Sequence, residues 1–348
     1  QSLGAFNDNV SRNAMLALMV YQMGLSTEQS TLYANLAPAL FILPYFLFSA
    51  TAGQIAEKYE KARLIRVTTA MEIAIMSLAS FGFIYGIPWL LLFCLFLTGV
   101  QSTLFGPVKY AILPQVLAPE ELTGGNGLVE MGTSISILIG MIAGMSLLMI
   151  PEYGPQAAAA AMIALAITGH LVSRAIPMAP AIEPDLKINP NIMAESLHVL
   201  RMVKSNNVVR RAVFGVSWFW FVGTMLSAQL PNYAKLHMGG TESLNLLALA
   251  LFSIGTGLGS LWCEKLSQRT VEIGLVPFGA LGMTILTADL FFARPGLAPE
   301  MGITLAQFWQ QAGSFRIMLD LTLIGLFAGF FIVPLFALIQ SRTERHML

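Results

Sequence analysis

The chain has 348 residues, of which 56% are hydrophobic and 11% charged, with a mean hydropathy of +0.70. Soluble domains carry about 25% charged residues, so a single water-soluble core is excluded, and a formal net charge of zero excludes a basic nucleic-acid surface. The two cysteines, Cys94 and Cys263, lie in apolar stretches, match no zinc spacing and suggest no disulfide framework, so neither a metal nor a cofactor is expected.

A membrane-spanning helix needs about 20 mostly apolar residues. Ten such stretches are predicted, at 1–24, 31–56, 64–86, 88–108, 126–150, 156–176, 210–235, 243–263, 271–293 and 316–340. The first contains Gly4-Ala5-Phe6-Asn7-Asp8-Asn9, with Arg12 one helical turn after Asp8. Each charge costs roughly 2.5–3.5 kcal/mol at a helix centre, and an acid four residues before a base shares its face, so the two partly offset each other. Such a pair points to a polar path or pocket within the membrane and makes transport the first functional expectation.

The second span runs into Gly53-Gln54-Ile55-Ala56-Glu57-Lys58-Tyr59-Glu60-Lys61-Ala62-Arg63. Span three carries Glu72, Lys109 ends span four, and Glu130 lies near the start of span five. Glu72 could pair with a neighbouring helix or reach a cavity, Lys109 could bind a ligand or snorkel to headgroups, and Glu130 suits an inner gate better than substrate contact. His170 in span six suits packing better than proton relay.

The connection 177–209 is the longest. It opens with Pro177, Pro180, Pro184 and Pro190, and Asn191–Asn206 reads as a short amphipathic helix on the cytoplasmic surface, with Ile192, Leu197, Leu200 and Val203 on one side. Span seven is aromatic and Met-rich (Trp218, Phe219, Trp220, Phe221, Met225), with Gln229 and Asn232 as its main polar groups. Asp289 lies in span nine, and in span ten Arg316 precedes Asp320 by one turn, which predicts a local pair. Gly140-x-x-x-Gly144, Gly255-x-x-x-Gly259 and Gly325-x-x-x-Gly329 have the spacing that lets helices approach closely.

Alternating the connections, with the first outside, puts fifteen Lys and Arg inside and three (Lys235, Arg294, Arg316) outside, with Arg12 in the membrane. That bias predicts a cytoplasmic N-terminus. The expected organisation is an all-α membrane bundle: an N-terminal six-helix bundle at 1–176, a cytoplasmic linker at 177–209 and a C-terminal bundle of four helices at 210–348. The chain stops after Arg342-Thr343-Glu344-Arg345, which reads as a further cytoplasmic link, so ten spans of an expected twelve are present.

The 53–63 run resembles the cytoplasmic signature of the major facilitator superfamily, with Glu57 for the usual Asp and Glu60 for a usual Gly. The resemblance implies a gate formed by Gly53, Glu57, Lys58, Lys61 and Arg63, together with Glu130, in which the acid pairs with a helix end or an Arg of a neighbouring segment. Over nearly its whole length the chain is similar to the bacterial lysophospholipid transporter family. That likeness rests on Ala5–Asn9, Gly106-Pro107-Val108-Lys109-Tyr110-Ala111-Ile112-Leu113, Asn126-Gly127-Leu128-Val129-Glu130 and Val333–Gln340. It departs in span seven, where the family pattern has a basic residue and Trp218–Gln229 has none.

Members of that family flip lysophospholipids, chiefly lysophosphatidylethanolamine, from the outer to the inner leaflet of the inner membrane, where a separate or fused acyltransferase restores the lost chain. The resemblance therefore implies a monomeric multi-pass carrier working by alternating access, with membrane lipids around it. Asp8 and Glu72 suit the ammonium end of a zwitterionic headgroup, Arg12 and Lys109 its phosphate, and the aromatic and Met-rich stretch that includes Trp218 the acyl tail, with Asn9 and Gln229 as further substrate-binding candidates. The alternative is a proton-coupled exporter of drugs or small metabolites from the same superfamily. An acyltransferase activity within the chain is not expected: His170, His198, His237 and His346 lack the His-x-x-x-x-Asp arrangement, and there is no nucleophile elbow or Walker loop.

Overall fold

The computed structural model describes residues 1–19, 23–24, 26–189, 191–239, 242–267, 272–293 and 302–342. Among them there are thirteen helices and no strand: α1 (Ser2–Ala17), α2 (Thr27–Lys58), α3 (Lys61–Tyr85), α4 (Pro88–Ala111), α5 (Leu113–Val116), α6 (Leu122–Leu148), α7 (Gly154–Ser173), α8 (Ile192–Ser205), α9 (Asn207–His237), α10 (Glu242–Leu266), α11 (Leu275–Phe292), α12 (Leu305–Trp309) and α13 (Ser314–Arg342). The predicted link at Thr343–Arg345 lies outside the described residues, as do Pro190, Arg269 and Arg294.

Every predicted span falls on a helix, but eight helices among the described residues are long and apolar enough to cross a membrane. The two that fall short are α1 and α9. The described part of α1 has 16 residues and carries Asn7, Asp8, Asn9, Ser11, Arg12 and Asn13. α9 starts with Arg210 and Arg211 in its first turns and has Gln229 near its end.

Local signals explain where the helices begin and end. Ser26 and Gln29 form a reciprocal capping box at α2, with both bonds at 3.2 Å. Gly86 ends α3 in the left-handed region, at φ 63°, which favours a residue without Cβ. Pro88 occupies the first turn of α4, where no intrahelical N–H bond is lost, and Asn206 caps α9 through two backbone amides. Pro38 and Pro44 sit inside α2, Pro107 inside α4 and Pro334 inside α13, each removing a helix hydrogen bond.

Two compact units result, one of residues 1–116 and 139–205 and the other of residues 117–138 and 206–342. α6 is shared: its first part packs in the second unit and its last part in the first. In the first unit α2 packs on α4, α3 on α7, and α1 on α7. A carbon core of Val10, Met15, Met76, Phe83, Leu91 and Met162 fills the space between them. Gly140 and Gly144 of α6 lie so close to α1 that a Cβ would come within 2.6 Å of the Phe6 carbonyl and 2.5 Å of the Val10 carbonyl. In the second unit α13 runs through the middle, against α10, α11 and α9. Its seam with α10 is reciprocal: a Cβ at Gly255 or Gly259 would overlap the carbonyl of Thr322 or Leu326, and one at Gly325 the carbonyl of Phe252. All three predicted small-residue spacings are therefore helix contacts.

Candidate functional site

The polar residues of α1 do not form one chain along the helix; they divide between neighbours. Asn7 is fully buried and donates to Glu72 Oε1 of α3 at 2.7 Å, and Glu72 itself is 3% exposed. Asp8 turns towards α4 and accepts from the Ser102 hydroxyl at 3.0 Å. That hydroxyl also lies 3.2 Å from Gln101 Oε1, and its single proton serves one acceptor at a time. Gln101 is held in turn by donating to the Thr68 carbonyl at 3.2 Å.

Arg12 does not form the expected ion pair with Asp8. Ion pairs do form elsewhere, between Glu60 and Arg66 and between Asp289 and Arg316. Arg12 instead donates to Asn9 Oδ1 at 2.6 Å and lies 5.4 Å from the ring centre of Phe41 on α2. An amide oxygen one turn back and an aromatic face hold the guanidinium, while Ser102 draws the carboxylate away. Asn9 in turn donates to the Ala5 carbonyl at 2.8 Å. Tyr45 of α2 lies within electrostatic reach of Asp8 and Arg12.

Within this cluster two buried acceptors have no donor among the described residues, Asp8 Oδ1 and Asn7 Oδ1. An unsatisfied buried polar atom costs about 1–3 kcal/mol, so this cluster is not arranged for stability alone. α1, α2, α3 and α4 thus gather two carboxylates, two amides and a hydroxyl around undonated oxygens, with a half-buried guanidinium one turn along. Asn7, Tyr45, Gln101 and Ser102 were not singled out in the sequence; only a polar residue in an apolar run marks them, and such residues are common. Lys109 is half-buried, about 10 Å further along α4 than Ser102, with its ammonium 4.6 Å from the Tyr110 ring centre. Trp218 and Gln229 lie on α9 in the second unit, both exposed, and Trp218 packs against Phe221 with ring centres 5.7 Å apart.

The predicted gate residues occupy the α2–α3 turn, and the linker closes over them. The Glu57 carbonyl accepts from Ile182 and Glu183 at 3.0 and 3.1 Å. Lys61 N–H donates to the Ala179 carbonyl at 2.9 Å, and Gln54 Oε1 accepts from Asn189 N–H at 2.7 Å. Glu60 caps α3 through Ala62 and Arg63 amides at 2.9 and 2.7 Å and accepts from Ala179 N–H at 2.9 Å. Partial burial raises the Glu60 pKa, but the three amides and Arg66 outweigh it and hold the carboxyl below its ordinary value. Glu60, a departure from the family pattern, is thus the clasp between turn and linker. Lys61 is fully buried, its ammonium without a hydrogen-bond partner among the described residues but in reach of the Glu57 and Glu60 charges. Arg63 is exposed, Lys58 lies 5.9 Å from the Tyr59 ring centre, and a Cβ at Gly53 would meet open space.

In the second unit Glu130 is 5% exposed, one turn beyond an amide pair that was not foreseen. Asn126 Nδ2 donates to Gln340 Oε1 at 2.7 Å and Gln340 Nε2 returns a bond to Asn126 Oδ1 at 3.1 Å, both groups buried. This pair ties the first turns of α6 to the end of α13. The predicted Arg316–Asp320 pair is also corrected: Arg316 grips Asp289 of α11 through two nitrogens, one at 2.8 Å. A bidentate fork across helices outcompetes a base-before-acid pair on one helix, the weaker orientation. His170 accepts or donates at 3.0 Å with Thr69 across the α3–α7 contact, a packing position.

The Major Facilitator Superfamily model matches residues 2–348. The chain belongs to that superfamily. Its relatives include proteins named lysophospholipid transporter LplT. That of Serratia proteamaculans is 27% identical over 98% of this chain and 78% of its own length. That of Cronobacter sakazakii is 29% identical over 99% and 79%. Among solved structures, a variant of the Escherichia coli fucose:proton symporter FucP shares the fold at TM-score 0.70 and 16% identity, covering 99% of this chain and 85% of that one. The human organic anion transporter MFSD10 does so at TM-score 0.67 and 13% identity, covering 99% and 85%. As a superfamily member with eight helices among the described residues apolar enough to span a bilayer, the chain is a multi-pass membrane transporter.

Proposed function

We propose that the chain moves lysophosphatidylethanolamine-like lipids from the outer to the inner leaflet of a bacterial cytoplasmic membrane by alternating access, for reacylation by a separate or fused acyltransferase. The chain itself performs no covalent chemistry in this reading. Full-length similarity to named lysophospholipid transporters supports the substrate class. The observation that carries the assignment to residues is the undonated Asp8 Oδ1, buried between α1 and α4 beside the Asn7–Glu72 pair.

A primary ammonium has three donors and no acceptor, so it complements Asp8 Oδ1 and Asn7 Oδ1. Arg12, half-buried one turn away, offers its remaining N–H groups to a phosphate, the guanidinium being suited to that planar contact. Lys109 adds a second cation further along α4. The tail needs only apolar surface of the kind that Trp218 and Phe221 present on α9. Glu130 and the 53–63 turn act in gating rather than in binding.

Uptake of labelled lysophosphatidylethanolamine into vesicles tests this reading. A charge-assisted bond contributes about 1.5–3 kcal/mol, so Asp8→Asn should reduce uptake by roughly 10- to 100-fold at normal expression. Lys109→Ala should reduce it less. Full uptake by both variants would overturn the assignment of the site. Gradient-dependent export of a drug without lipid movement would replace the function with the exporter reading.

A further inference from the structure

α8 has two sides of different character. Its half-buried residues, Ile192, Glu195, Ser196 and Val203, recur at helical spacing and face the first unit, where α8 packs on α2. The side expected to hold Ile192, Leu197, Leu200 and Val203 is therefore divided: Leu197 and Leu200 stand away from the packed side together with Met193, the three being 46%, 64% and 69% exposed. At about 100° per residue these three fall within a sector of about 60°, with Lys204 in the same sector and Arg201 about 40° beyond it. The one acid of the helix, Glu195, is turned inward and accepts from Asn189 at 3.3 Å. The outward face is therefore apolar with cationic residues only at its C-terminal end. Asn206 alone separates α8 from α9, so that end of the helix cannot leave the bilayer surface. The other end is tied down through Asn189, Ile182 and Ala179 to the α2–α3 turn.

We propose that α8 is an interfacial anchor for anionic phospholipid: Met193, Leu197 and Leu200 enter the headgroup–acyl boundary of the cytoplasmic leaflet while Arg201 and Lys204 hold anionic headgroups. Charge complementarity decides the occupant. An apolar face flanked by Lys and Arg at the cytoplasmic surface suits the negative leaflet, and such helices bury their apolar side about 5–10 Å deep. The anchor fixes the linker, and through it the turn carrying Glu57 and Lys61, relative to the membrane plane.

The test uses the whole chain in vesicles of phosphatidylcholine with or without phosphatidylglycerol. A nitroxide is placed at Leu197→Cys or Leu200→Cys, and for comparison at Ala194→Cys or His198→Cys, in a Cys94→Ala/Cys263→Ala background. With phosphatidylglycerol present, labels at 197 and 200 should be reached by oxygen and shielded from a water-soluble nickel chelate, and those at 194 and 198 the reverse. Removing each charge, by Arg201→Gln or Lys204→Gln, should lower the inserted fraction about fivefold in anionic vesicles and leave neutral vesicles unchanged. Three results would overturn the proposal: chelate access at 197 in both lipids, shielding from both reagents (a protein partner), or insertion indifferent to lipid charge and to both substitutions. The substituted positions on α8 are all exposed, and lipid uptake by the cysteine-free background checks that the fold is retained, so each result is readable.

Discussion

The polar cluster of α1–α4 and the α10–α13 seam solve opposite problems. The seam is dry, with glycines letting backbones touch, and van der Waals contact is what holds helices together where lipid offers no hydrophobic drive. The α1–α4 cluster buries Asn7 and Glu72, leaves two oxygens without donors and keeps Arg12 half-exposed. One region rests on backbone contact and the other gathers polar groups around undonated oxygens, although the second unit also buries Ser260 Oγ and Asp320 Oδ2 without partners among the described residues. Functional sites are where local rules of polar satisfaction are most often broken, and the α1–α4 region is where the proposed headgroup site lies.

The sharpest way to break this comparison is to fill the seam. Gly255→Ala/Gly259→Ala places methyl groups on the carbonyls of Thr322 and Leu326, and α10 must move away from α13. The expected loss is about 3 kcal/mol or more, seen as a lower melting temperature and reduced yield in detergent. Gly223→Ala on α9 is the control: a Cβ there meets nothing within 4 Å, so stability should hold or rise by about 0.5 kcal/mol. Asp8→Asn should do the reverse of the seam change, reducing uptake by roughly 10- to 100-fold while leaving the melting temperature equal or higher. If the seam double variant keeps its stability, or Asp8→Asn unfolds the protein, the contrast between the regions is wrong.

Much of this contrast was legible in the sequence. The glycine spacings predicted close helix contacts, and they are found, because helix period alone puts residues four apart on one face. Asp8, Arg12 and Glu72 stood out because charge inside an apolar run is costly. What could not be read was which residue each one meets. Asn7–Glu72 and Asp8–Ser102 are separated by 65 and 94 positions, and nothing local encodes that choice. The one local rule applied to Asp8, pairing with Arg12, failed because Asn9 and Phe41 offered the guanidinium other partners. Glu60 was read as a departure from the expected Gly, since its role depends on Ala179, 119 positions away.

A smaller effect is expected at the Asn126–Gln340 pair, which puts a polar contact into the second unit. Asn126→Leu or Gln340→Met alone strands a buried amide and should cost about 1–3 kcal/mol. The double variant should cost less than the sum, with a coupling of about 1–2 kcal/mol in a double-mutant cycle read by denaturation in detergent. Additive losses would mean the two amides do not depend on each other. The pair would then not be a link between α6 and α13.

The smallest expected effect concerns the clasp at the cytoplasmic turn, and it carries a pH signature. Glu60→Gln keeps the size of the side chain but removes the charge that caps α3 and receives Ala179, and loss of a cap costs about 1 kcal/mol. The folded-state pKa of Glu60 lies below its ordinary value, so its contribution is complete above the unfolded value of about 4.3. It disappears as pH falls through the lower, folded value, where the native carboxyl becomes protonated. The melting temperatures of the native and Glu60→Gln proteins should therefore differ by a constant amount from about pH 6 to 8 and converge below about pH 4. A gap that persists undiminished at low pH would assign the loss to the shape of the turn instead of its charge. In that case the first unit would hold its linker by packing, as the second unit holds its helices, and the division between a charged region and a dry one would not extend to the membrane surface.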